Sequence, residues 1–123
     1  MTKRVLDVGQ CGPDHATICH FLTNSFDVEV VQTHGLLDTL SELRANQYHL
    51  VLINRKLDAD YSDGIEILRA IKADREVAHV PVMIVTNYPD HQEAAIAAGA
   101  HRGFGKLEYA QPETKEKLAA VLA

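Results

Sequence analysis

No stretch of this chain is apolar for anything near the roughly 20 residues that a membrane-crossing helix needs, so no membrane partner is expected. Its start, Met1-Thr-Lys-Arg, runs straight into a strand-like segment without the apolar core of a signal peptide. Cysteine is scarce. Cys11 and Cys19 show no close-spaced metal or redox motif, which makes a reducing cytoplasm the expected setting. Positive charge is also short. With 12 Lys and Arg against 17 Asp and Glu, the net charge is −5, which argues against a nucleic-acid-binding face. The seven histidines are scattered, and no two have the i, i+4 helical spacing of a zinc site. His15 and Cys19, four residues apart on one predicted helix, come nearest to it, and no metal site is expected. Gly9-Gln-Cys-Gly12 lacks the glycine count and the Lys of a phosphate-binding loop, and no cofactor is expected. Repeats, linkers and low-complexity tracts are missing too.

What is present is an ordinary globular chain. Its 123 residues suit one domain, 1–123, and an apolar fraction of 46% is enough for a core. Leu50 to Ile53 is a short unbroken apolar run between polar residues, the pattern of a strand buried on both faces of a parallel sheet. Similar short strands are predicted at Arg4–Val8, Asp27–Val31, Val80–Val85 and, with two glycines, His101–Lys106. Between them lie helical patterns. Pro13 opens a first helix that carries Ile18, Phe21 and Leu22 at 3–4 spacing. Leu36, Leu37, Leu40 and Leu43 mark a second, and Ile65, Ile67, Leu68 and Ile71 a third that Asp63 is placed to cap. An alanine-rich fourth runs from Asp90 to Ala98, and a fifth starts at Pro112. Strict alternation of strands and helices implies a parallel sheet covered on both sides. For five strands with right-handed crossovers, the favoured order is 2-1-3-4-5. Asn54 ends the central strand, and in open parallel sheets chemistry collects just past the carboxyl ends of the strands.

Four segments together resemble the receiver domains of two-component response regulators, over essentially the whole chain. They are Tyr48-His-Leu-Val-Leu-Ile-Asn54, Asp63-Gly64, Val80-Pro-Val-Met-Ile-Val-Thr86 and Ala98-Gly-Ala-His-Arg-Gly-Phe-Gly-Lys106. The resemblance implies a flavodoxin-like (CheY-like) three-layer α/β sandwich with five strands and five helices. It also implies a phosphorelay signalling module rather than an enzyme, with a kinase or an output protein as partner and a homodimer as a further option. Partners in this family dock on the fourth helix, fifth strand and fifth helix, or on the first helix.

By position, Thr86 and Lys106 match the family's residues that bond the phosphoryl oxygens. The others depart from it. Asn54 stands where an Asp takes the phosphoryl group. Gly9 and Gln10, or Gln10 and Cys11, stand where two acids hold Mg²⁺. Gly103 falls on the switching aromatic, with Phe104 displaced by one, and Leu107 replaces a frequent Pro. The loop before Asp63-Gly64 is longer than is usual.

The chemistry follows from these replacements. An acyl phosphate needs a carboxylate nucleophile, which an amide cannot supply. Mg²⁺ needs hard anionic oxygens. Acceptor and metal ligands are lost together, so the expected function is a pseudo-receiver that signals by protein contact without phosphorylation at the usual residue. The alternatives are a conventional Mg²⁺-dependent switch using a loop acid such as Asp58, and a flavodoxin-like small-ligand binder. Lys106 is expected to bond the Asn54 carbonyl, Asp58 or Asp60. With Gly103 at the aromatic position, a single rigid conformation is expected. Cys11 is an ordinary loop residue or a thiol sensitised by a helix N-terminus, and Cys19 a packing residue. Asp7, in a strand interior, is either satisfied by hydroxyls or amides or is a displaced metal ligand. Asp58, Asp60 and Asp63 are read as solvated or capping, with a cation site as the other option.

Overall fold

The computed structural model describes residues 2–123. Four strands form its sheet: β1 (Lys3–Val8), β2 (Val28–Thr33), β3 (Leu50–Asn54) and β4 (Val82–Val85). Five helices alternate with or follow them: α1 (Gly12–Ser25), α2 (Leu36–Ala45), α3 (Ile65–Ala73), α4 (Pro89–Ala97) and α5 (Pro112–Leu122). All pairings are parallel, in the order β2-β1-β3-β4.

Period-two alternation divides the core into two layers. Leu6, Val8, Val51, Ile53, Val82 and Ile84 face Leu43, Ile67, Leu68, Ile71 and Ala95 from α2, α3 and α4. Val5, Leu50, Leu52, Met83 and Val85 face Ile18, Leu22, Leu118 and Leu122 from α1 and α5. Leu50 to Ile53 is fully buried, as a central strand covered on both faces must be. Tyr48 and His49 serve the fold at its entry. The Tyr48 hydroxyl donates to Glu42 at 2.6 Å, and His49 Nδ1 accepts the Arg4 N–H at 3.0 Å. Among the described residues no helix is long and apolar enough to cross a membrane.

The predicted fifth strand is a correction. His101–Lys106 runs alongside β4 in parallel, but it is tied there by a single bridge, Met83 to His101. The cause is a side chain. The His101 N–H donates to the Val82 carbonyl at 2.9 Å, and the Thr86 N–H to the Phe104 carbonyl at 3.0 Å. Between these two bonds the buried amide of Gln92, from α4, inserts itself. Its Nε2 donates to the Ile84 carbonyl at 2.9 Å, and its Oε1 accepts the Gly103 N–H at 2.8 Å. One side-chain amide thus stands in for a ladder rung. The Ile84 carbonyl and the Gly103 N–H are thereby satisfied, yet no continuous strand forms.

Candidate functional site

The ends of β1, β3 and β4 and the segment after Phe104 meet at one edge of the sheet. There Asn54, Arg55, Lys56, Val85, Thr86, Asn87, Tyr88 and Lys106 line a cleft of about 210 Å³. Asn54, Thr86 and Lys106, singled out from the sequence, therefore share one site. The Asn54 amide is turned to the backbone. Its Nδ2 donates to the Lys56 carbonyl at 2.7 Å and reaches toward the Gly9 carbonyl at 3.5 Å. A carboxylate in that orientation would face two carbonyl oxygens and be repelled.

Gly9 and Gln10 follow β1, and neither offers a side chain to the cleft. Gly9 has φ +78°, where glycine is strongly favoured. A Cβ there would lie 2.4 Å from Leu57 Cδ2. Leu57 is buried, and its neighbour Asp58 donates its N–H to the Gly9 carbonyl at 3.0 Å. The long loop after β3 has folded over the end of β1, and an isobutyl group occupies the space a residue-9 side chain would need. Gln10 turns inward and is fully buried, with no well-formed hydrogen bond to either amide atom. It lies close enough to Asp7 to favour that carboxylate's charge.

Asp7 is itself fully buried; its strongest contact is an imidazole, which the sequence did not suggest, with the Gln10 amide beside it. Its Oδ2 lies 2.6 Å from His15 Nδ1 on α1. Burial nevertheless pushes the carboxyl up to about 6, against the opposing pull of His15. Because this exceeds the unfolded value of 3.8, the folded state binds the extra proton. The group's contribution to stability is present below pH 3.8 and is lost as pH rises through about 6, a span worth about 3 kcal/mol. We expect Asp7→Asn to gain on the native chain by about 1.5 kcal/mol between pH 5 and pH 7.5. Urea unfolding of both proteins at the two pH values measures it, and a constant offset between them would refute the assignment.

The remaining acids do not converge. Asp60 accepts the Ser62 N–H at 2.9 Å and hydroxyl at 2.6 Å. Asp63 accepts the Ile65 N–H at 3.1 Å at the start of α3, the capping role read for it. Asp58 lies 3.8 Å from His34 at the surface. Among the described residues no three His, Cys, Asp or Glu are placed to hold a metal ion. Lys106 pairs with none of the expected groups. Its Nζ donates to Asp14 Oδ2 at 2.7 Å, in the first turn of α1, and this contact holds the Asp14 carboxyl below its usual value. Asp14 was not legible as a partner, because only the fold brings residue 14 beside residue 106.

Thr86 is buried and already engaged. Its Oγ1 accepts the Tyr88 N–H at 3.3 Å and lies 3.3 Å from His91 Nδ1. Gly103 is pressed against β4, so that a Cβ would sit 2.4 Å from the Ile84 carbonyl oxygen. Phe104 points the other way, into the α1/α5 layer, with ring centroids 6.5 Å from Phe21 and 6.0 Å from Tyr109. Cys11 is the N-cap of α1 and contributes no side-chain cap. Sequence reasoning missed Leu57, Gln92 and Asp14. Leu57 did carry a signal, as an isolated apolar residue in a polar loop.

The sequence matches no family model, and a search of curated proteins finds no match. Solved structures do match along its length. A putative response regulator from Chloroflexus aurantiacus superposes with a TM-score of 0.80 at 17% identity, covering 97% of this chain and 99% of that one. The fold is that of the receiver domains. The signal receiver domain of a DNA-binding response regulator from Colwellia psychrerythraea gives 0.78 at 19% identity, covering 96% of each chain. The chemotaxis response regulator CheY4 of Vibrio cholerae gives 0.76 at 18%, covering 99% and 100%. At such identities the likeness speaks for architecture, and the chemistry rests on the residues above.

Proposed function

We propose that this chain is a receiver-like module of two-component signalling, acting in the cytoplasm, whose phosphorylation site is degenerate and which works by protein–protein contact. The partner class is a kinase or an output protein, with self-association as a further arrangement. One observation carries the reading: Leu57 occupies the space beside Gly9 where a metal-binding side chain would have to project. The other departures agree with it. Asn54 spends its donor on the loop backbone, Lys106 is paired with Asp14, and no aromatic faces the cleft from residue 103. Asp58 is a poor substitute acceptor, because its backbone is pinned to Gly9 and its carboxylate lies toward His34.

The test is beryllofluoride with Mg²⁺, followed by amide chemical shifts. We expect no saturable shifts at Thr86 or Lys106 in the native protein. We expect none in Asn54→Asp either, since the metal ligands remain absent and Leu57 still covers Gly9. Saturable shifts at these amides in the native protein would overturn the reading in favour of a conventional switch.

A further inference from the structure

The cleft at the end of the sheet is positively charged in a chain whose net charge is −5. Arg55, Lys56 and Lys106 line it, and no carboxylate does. Lys106 is shared with Asp14. Arg55 and Lys56 are not shared: among the described residues neither belongs to an ion pair. Asp63 lines a small neighbouring cavity together with Arg55, but its carboxylate is turned to the Ile65 N–H. The backbone that presents the two cations is fixed. The Arg55 N–H donates to the Val85 carbonyl at 3.2 Å, and the Arg55 carbonyl accepts the Gly64 N–H at 2.7 Å. The Lys56 carbonyl accepts from the Asn54 amide at 2.7 Å. Like charges held side by side repel each other, a cost that a carboxylate arriving from outside relieves. Beside the cations the surface is aromatic and aliphatic. Tyr88, which lines the cleft, is 62% exposed. Leu107, whose N–H donates to Asn87 Oδ1 at 3.1 Å, is 84% exposed.

We infer that this cleft docks an acidic segment of a partner protein, which sets carboxylate side chains against Arg55 and Lys56 and an apolar side chain against Tyr88 and Leu107. The inference rests on the reading of the site as one that holds no metal, and it names the chemistry of the partner. With no acid at residues 9, 10 or 54, the cations alone set the field in the cleft. The Arg55 guanidinium offers the planar fork that a carboxylate accepts with both oxygens, and the exposed Lys56 adds a point charge that steers the approach. Because the backbone at residues 54–56 is already held, little ordering is left to oppose binding. Asn54 has a part in this. An amide there ties down the Lys56 carbonyl without adding a negative charge to the cleft. The contact lies at the end of the sheet, apart from the helix faces on which the family resemblance places partners.

The experiment titrates the peptide acetyl-Gly-Leu-Glu-Glu-Leu-Gly-amide into the full chain, in Tris buffer stripped of metal, and follows amide chemical shifts. Saturable shifts are expected at Lys56, Asn87 and Leu107, and none with the peptide in which Gln replaces both Glu. Lys56→Glu should weaken binding at least about fivefold. Lys115→Glu makes the same change of charge at an exposed position of α5 outside the cleft, and should leave binding within about twofold. Asn54→Asp should weaken it as well. No saturable shift with the Glu peptide overturns the proposal, and so do equal effects of Lys56→Glu and Lys115→Glu. Inorganic phosphate giving the same shifts at lower concentration than the peptide marks a small-anion site and also overturns it. Since no metal is present, a failed titration beside an unresponsive beryllofluoride experiment removes the acidic partner alone. Saturable beryllofluoride shifts would instead remove the reading of the site on which the partner rests.

Discussion

Phe104→Ala is expected to lower the stability of the domain by about 4 kcal/mol, the cost of removing a fully buried aromatic side chain from a core that cannot close over the gap. Phe104 is sealed from solvent and is among the largest fully buried side chains. It packs with Phe21 of α1 and with Tyr109 of the loop before α5, in the core layer that these two helices share. For a chain of this length, 4 kcal/mol corresponds to a fall in melting temperature of roughly 15 °C. Phe104→Leu keeps most of the volume and should lose under about 1.5 kcal/mol. Urea or thermal unfolding of the pair measures both. Equal, small losses would show that the ring is not the clamp between α1 and α5.

Gly103→Ala should cost nearly as much, about 3 kcal/mol, for the opposite reason. Here nothing is removed; one methyl is added where there is no room. Its carbon would approach the Ile84 carbonyl oxygen to 2.4 Å and Met83 Cβ to 3.2 Å, and the nearer of these is backbone. A side chain can rotate away, but the Ile84 carbonyl is held by its bond from Gln92 Nε2 at 2.9 Å. Relief therefore requires residues 101–105 to draw back from β4, loosening the bonds of His101, Gly103 and Phe104 together. Amide hydrogen exchange at Thr86, whose N–H donates to the Phe104 carbonyl, should speed up along with the loss of stability. A loss below about 1 kcal/mol would mean the segment moves aside freely.

The two substitutions separate adjacent residues that were read together from the sequence. An aromatic one place away from its expected position looked like a displaced switch. In the structure it is a core residue, because successive residues of an extended segment point to opposite sides. Gly103 faces β4 and α4, and Phe104 faces α1 and α5. A rotamer exchange at residue 103 has no group to perform it. Residue 104 has no open space to swing into.

Periodicity and punctuation alone determined the elements of this protein. An apolar run too short for a helix forces a buried strand, and 3–4 spacing forces a helix with one face covered, so every helix and the four strands of the sheet were legible within a few residues. The gathering of Asn54, Thr86 and Lys106 at one edge follows from that alternation as well. The tertiary structure decided how those residues are occupied. Whether His101–Lys106 becomes a strand depends on Gln92, which is near it only because α4 packs against β4. Lys106 finds Asp14, Leu57 fills the space beside Gly9, and Asp7 finds His15, each across a separation in the chain that no local pattern encodes. Local preference sets the backbone of an element. Which atom satisfies a given charge or fills a given space is settled only when distant segments compete for the same few ångströms.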